Sequence, residues 1–270
     1  MKLFGPLSAN YQTLAFDRPG HGHSDRPNHG DVTVEVQANL LCRALDELRV
    51  ERPILVGHSW GGALALAYAL LNPGNVSGLV LLAPAVYESD DGVSFLSKLP
   101  GWPVIGDVVN FLFTPLLGAW LVRTDVTKAF SPDPIPHHYL RHALSEWTRP
   151  KKVKWYSIDD ALLNESLPKL SQRYAELLVS KDRDPNLPDS VQANAVGNGS
   201  RLRMPVSIIA GDSDQIVALD QNARRLHQAL PGSELIVLAK TGHQVPFTGP
   251  GAVVAAIDRV AAVSPWKREA

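Results

Sequence analysis

Ser59 stands at the centre of Gly57-His58-Ser59-Trp60-Gly61, between the apolar run PILV and an alanine- and leucine-rich stretch that ends at Leu71. Glycines two residues before and two after a serine suit a sharp strand-to-helix turn, because a Cβ there would collide. The helix that follows aims N–H groups and a positive dipole end at any anion beside the serine. A hydroxyl is a poor nucleophile until a base takes its proton and a carboxylate holds the base. Candidates for both lie far down the chain. Asp212 and Asp214 follow the apolar run of MPVSIIAG, and His243 follows SELIVLA. By itself the glycine motif also fits a turn with an incidental serine. A serine, a carboxylate and a histidine, each just past an apolar run and in that order, point instead to acyl transfer through Ser59.

These residues need strands that end where they begin. PILVG, SGLVLLAP, MPVSIIAG and SELIVLA read as buried strands, and YQTLAF as a short one ending at Asp17. Between them lie helical patterns. DVTVEVQANLLCRALDELRV carries Leu41, Leu45 and Leu48 on one face, with Thr33 as N-cap; LDQNARRLHQAL and GAVVAAIDRVAAV close the chain. Apolar strands without polar alternation, separated by amphipathic helices, predict an α/β domain with a mostly parallel sheet covered on both faces. Its carboxyl ends are where open parallel sheets gather ligand sites.

The regularity stops between Tyr87 and Leu202, a segment with ten of the 21 prolines and four of the six tryptophans. It reads as a helical insertion, so residues 1–86 and 203–270 form a discontinuous core and 87–202 a cap. Ser180 to Ser200 is polar and rich in Asn, Asp, Gly and Pro, and is expected to be an irregular loop. Trp102 to Val122 resembles a membrane span, but Asp107, Asn110 and Pro115 are unwelcome in hydrocarbon. A pair of apolar helices broken at Pro115 is expected, with no stable membrane insertion.

Other chemically capable residues have weaker claims. The lone Cys42 sits on an expected helix without a neighbour to lower its pKa. It cannot form an internal disulfide, which suits a reducing, cytoplasmic setting. His58 is expected to pack or hydrogen-bond within the scaffold. His21 and His23 lie in a Gly-Pro-rich loop, and His137-His138 lack Cys or acid partners for a metal. RPKKVKW, Arg149 to Trp155, reads as a solvated charge run with an aromatic anchor. With 26 basic and 27 acidic residues there is no basic field for nucleic acid. No metal or organic cofactor is called for, and oligomeric state is not legible.

Taken together, FDRPGHGHSDRP, GHSWGG, GDSDQIV and TGHQVPF make the chain resemble the α/β-hydrolase superfamily from about Tyr11 to Val263. That resemblance implies an α/β-hydrolase fold with a lid above the nucleophile. It implies Ser59 as nucleophile, His243 as base and Asp214 as acid, Asp214 matching the family's Gly-x-x-Asp-x-Ile-Val pattern and Asp212 shaping the turn. It makes the Trp60 N–H an oxyanion donor, with the indole lining an acyl pocket. Epoxide hydrolases and haloalkane dehalogenases resemble this elbow but use aspartate, so Ser59 directs the expectation to esters or related carbonyl compounds. The apolar Phe111, Phe113, Leu116, Leu117 and Trp120 of the cap favour a small to medium apolar acyl substrate. Family members also place a strand and a His-Gly loop before the FDRPGHG segment, and only sixteen residues precede Asp17 here. The expectation is a chain shortened at its front, with half of the oxyanion hole missing. A non-catalytic homologue that binds without turnover is the alternative.

Overall fold

A computed structural model describes residues 2–27, 32–89, 99–102, 104–180 and 200–264. A short helix α1 (Phe4–Ser8) leads to α2 (Val34–Glu47), β1 (Ile54–His58), α3 (Trp60–Leu71) and β2 (Gly78–Leu82). A helical insertion follows: α4 (Ile105–Phe130), α5 (His137–Trp147) and α6 (Pro150–Gln172), then the short antiparallel pair β3 (Leu178–Ser180) and β4 (Ser200–Leu202). The chain returns through β5 (Val206–Gly211), α7 (Arg225–Ala229), β6 (Glu234–Leu238), α8 (Val245–Thr248) and α9 (Pro250–Val263). This is the α/β-hydrolase fold.

The main sheet has the order β1-β2-β5-β6, and every neighbouring pair is parallel. Its two faces follow from the alternation of side chains along a strand. Leu79, Leu81, Ile208 and Ala210 pack with Val34, Leu45, Leu66, Leu163 and Leu167 of α2, α3 and α6. Val80, Leu82 and Ile209 turn the other way, onto Leu7 of α1 and Val253, Ile257 and Val260 of α9. Apolar residues on both faces of β2 and β5 thus serve two cores, and the one polar side chain among them, Ser207, donates its hydroxyl to Glu234 at 2.8 Å. Thr33 caps α2 as its position predicts, its Oγ1 accepting from the Val36 N–H at 3.3 Å.

Two expectations are corrected. No strand forms at Tyr11–Phe16, and Leu14 and Phe16 remain exposed. A strand needs a neighbour for its backbone groups, and among the described residues β1 pairs only with β2. The N-terminal segment is held by side chains instead: Lys2 Nζ donates to the Phe247 carbonyl at 3.0 Å and Tyr11 OH to Asp258 at 2.6 Å. RPKKVKW is not a free charge run. Lys152 donates to the Gly20 and Gly22 carbonyls at 2.8 and 3.0 Å, and Lys154 pairs with Asp107 at 2.6 Å.

The break at Pro115 is present: Ile105–Thr114 and Leu117–Phe130 meet at 85°. No single helix among the described residues is long and apolar enough to cross a membrane, and these two arms reach that test only jointly, across the bend. Of the loop expected over Ser180 to Ser200, the two end residues pair in β3 and β4, and 181–199 lie outside the described residues.

Candidate active site

β1 ends at His58 and α3 begins at Trp60, so the whole reversal is made at Ser59, with φ 53° and ψ −120°. A left-handed φ strains any residue with a Cβ and persists only where the surroundings over-determine it. Here the Ser59 N–H donates to the Leu82 carbonyl at 2.9 Å, and its own carbonyl accepts from the Gly62 and Ala85 N–H groups at 2.8 and 3.1 Å. Glycine is demanded at Gly57, where a Cβ would strike the Gly61 backbone, and at Gly62, where it would meet Pro84 Cβ at 2.6 Å. At Gly61 an added Cβ meets nothing beyond its own helix within 4 Å. The second collision expected of the motif therefore falls one residue later, where α3 crosses the loop after β2.

Asp214 lies just past β5 and is the aspartate that meets the histidine. Its Oδ2 is 2.8 Å from His243 Nδ1, and the two side chains are 1% and 5% exposed. The other oxygen, Oδ1, accepts from the Ile216 and Val217 N–H groups at 2.8 and 2.9 Å. This anchors the carboxylate so that one oxygen is left for the imidazole. Among the described residues the Asp212 carboxylate accepts only from the Ser213 hydroxyl, at 2.8 Å, while its backbone N–H donates to the Leu238 carbonyl at 3.0 Å. The loop carrying His243 is pinned from the insertion, where the Gln244 N–H donates to the Ala129 carbonyl at 3.1 Å at the end of α4.

His58 joins the elbow to that loop. Its Nε2 donates to the His243 carbonyl at 2.9 Å, and the two rings lie 4.8 Å apart. The residue before Ser59 thus touches the His243 loop, although among the described residues no hydrogen bond joins the Ser59 hydroxyl to the ring. Burial, with the neighbouring His243, pushes the His58 pKa down to about 4. The unfolded chain would protonate His58 near its ordinary value of 6.5, so this stability is complete above pH 6.5 and is lost as the pH falls towards 4. The shift corresponds to roughly 3 kcal/mol. In His58→Gln, the fall of the urea midpoint between pH 6.5 and 4 should become shallower; an unchanged slope would show that His58 does not carry it.

Trp60 is held from the insertion by residues that sequence reading overlooked. Its indole Nε1–H donates to the Asp159 carbonyl on α6 at 3.3 Å, and the Arg18 guanidinium lies 3.8 Å above its ring. The Asp159 side chain, 2% exposed, receives Arg18 at 2.7 Å, His21 at 2.9 Å and Arg26 at 2.6 Å. The visible signals were two arginines in one Gly-Pro loop and an Asp-Asp pair inside a helix. His21 is thus committed to this cluster. The His23 N–H caps the Asp17 carboxylate at 3.0 Å, and among the described residues no His, Cys, Asp or Glu group is arranged to hold a metal.

The apolar residues expected over the nucleophile are not packed. Phe111, Phe113, Leu117 and Trp120 are between 49% and 74% exposed, and the Leu116 side chain lies outside the described residues. The second arm of α4 is anchored by apolar packing, through Val122, Val126 and Phe130 against Tyr139 and Phe247, and the first by polar contacts, Asp107 with Lys154 and Asn110 with the Pro100 carbonyl at 2.9 Å. Tyr156 on α6 is also exposed, yet surrounding protein with Asp160 and Asp125 lifts its phenol to about 12.

A family model described as the alpha/beta hydrolase family matches residues 1–257. The chain is 26% identical over 259 residues to the uncharacterized hydrolase YugF of Bacillus subtilis, across 92% of this chain and 80% of that protein. It is 28% identical over 242 residues to a 2-hydroxy-6-oxo-2,4-heptadienoate hydrolase of Pseudomonas putida, across 88% and 74%. Among solved structures, an α/β-hydrolase-fold protein from Burkholderia ambifaria aligns with a TM-score of 0.65 at 24% identity, covering 89% of this chain and 77% of that one. At that identity the likeness is one of fold.

Proposed function

From the premise that the chain belongs to the alpha/beta hydrolase family, we propose that it is a serine hydrolase working through Ser59, His243 and Asp214. The observation that carries this reading is the buried Asp214–His243 pair at 2.8 Å, joined through His58 to the strained turn that holds Ser59. With its Nδ1–H donated to Asp214, the imidazole keeps Nε2 free to take the Ser59 proton. The Ser59 oxygen then attacks the carbonyl carbon, the Trp60 N–H stabilises the developing oxyanion, and His243 returns the proton to the departing alkoxide. Water repeats the sequence on the acyl-enzyme, releasing the acid and restoring Ser59.

A hydroxyl nucleophile favours esters and related acyl compounds. We place the 87–202 insertion as a cap whose exposed phenylalanines and tryptophan favour a small to medium apolar acyl group. The reaction needs no metal or organic cofactor. The test is hydrolysis of p-nitrophenyl acetate, butyrate and octanoate with and without a chelator. Turnover above the buffer rate on the shorter esters, unchanged by chelation, is expected; no turnover, or turnover abolished by chelation, would reject the reading.

A second reading, a homologue that binds acyl compounds without turning them over, draws on two observations among the described residues: no hydrogen bond joins Ser59 to His243, and β1 pairs on one side only, with β2. Saturable binding of these esters with no product would favour it.

A further inference from the structure

We propose, resting on the serine-hydrolase reading, that Asp159 is a positioning residue for the reaction: from α6 it holds Trp60, the residue after the nucleophile, and so sets the elbow N–H that faces the oxyanion. The indole is gripped on its edge and on its face. The edge is the Nε1–H bond to the Asp159 carbonyl. The face is covered by Arg18, a cation–π contact of the close kind. Arg18 is itself fixed by the Asp159 carboxylate and by Gln37 Oε1 at 3.3 Å, while Gln37 donates its amide to the Val32 carbonyl at 3.0 Å. The edge contact is made by a main-chain carbonyl, and the Asp159 side chain fixes its place by tying α6 to Arg18, His21 and Arg26, so that one residue of the insertion governs both contacts to Trp60.

The cluster holds more charge than docking a helix requires. Two guanidiniums and an imidazole converge on one buried carboxylate. Burial alone would raise the Asp159 pKa, and His21, Arg18 and Arg26 together bring it below the ordinary carboxylate range. A buried ion cluster of this kind is seldom more stabilising than apolar packing of the same volume. What it supplies is a single geometry, since both carboxylate oxygens are committed and Arg26 is steadied over the Trp155 ring one turn earlier on α6. That geometry ends at the first residue of α3, directly beside the strained Ser59, which needs fixed surroundings to keep its conformation.

The experiment uses the whole chain and two readouts. The Trp60 indole N–H is identified as the 15N resonance missing from Trp60→Phe, and its hydrogen exchange is compared in wild type and Asp159→Asn. The kcat and KM for p-nitrophenyl butyrate are measured alongside. Exchange should accelerate at least about tenfold, and kcat should fall roughly 10- to 100-fold with KM changed much less. The Trp60→Phe/Asp159→Asn double variant should be no slower than the worse single one, because both act through one contact. If Asp159→Asn does not fold, Arg18→Gln keeps the test alive. It leaves Arg26 on the carboxylate and should loosen the same indole. Unchanged exchange, unchanged kcat, a change confined to KM, or additive losses would each overturn the inference. A wild-type chain without ester turnover would instead overturn the serine-hydrolase reading, and the exchange data would still judge whether Asp159 holds Trp60.

Discussion

Replacing Ser59 by alanine is expected to lower ester turnover on the order of 10⁴- to 10⁶-fold, because no acyl-enzyme can form and only binding and the oxyanion N–H remain. The protein should be otherwise unaltered. Among the described residues the Ser59 hydroxyl makes no hydrogen bond, so its removal leaves no buried partner stranded, and stability should stay within about 0.5 kcal/mol of wild type. KM should move little, since substrate contacts are retained. Measuring kcat, KM and melting temperature together separates this outcome from unfolding. Activity that survives the substitution in a folded protein would remove Ser59 from the mechanism.

Asp214→Asn should lower kcat by about 10⁴-fold. The Ile216 and Val217 N–H groups that now hold Oδ1 would hold the carboxamide oxygen. The amide NH₂ would then face His243 Nδ1, which must accept, driving the ring proton to Nε2 where the Ser59 proton has to go. The imidazole would keep its place and lose its function. Asp212→Asn disturbs only a contact with the neighbouring Ser213 hydroxyl and should leave kcat within about threefold. Equal losses in the two variants would mean that the anchoring of Asp214 does not matter for turnover.

That contrast marks where the sequence stops being legible. Both aspartates follow the same strand, and what separates them is the pair of backbone N–H groups that turn one Asp214 oxygen away from the histidine. The four strands of the main sheet were readable because apolar runs of five or six residues report their own burial. Tyr11–Phe16 looked equally apolar, but a strand also needs a partner, and pairing is a non-local property. The Gly57 requirement could be read from the motif. The transfer of the second collision from Gly61 to Gly62 depends on Pro84, more than twenty positions away in the chain. Asp159 was hidden for the same reason: its partners Arg18, His21 and Arg26 precede it by more than 130 residues. His58 was assigned to the scaffold correctly, while its particular role, joining the elbow to the His243 loop, emerged only with the fold.

The most direct measurement is to expose the protein to an alkyl fluorophosphonate and locate the adduct by mass spectrometry. A nucleophile activated by His243 should give one adduct, on Ser59, with labelling that matches the loss of ester turnover and is abolished in His243→Ala. Ester hydrolysis that continues with no adduct, or with the adduct on another residue, would contradict Ser59 as the nucleophile.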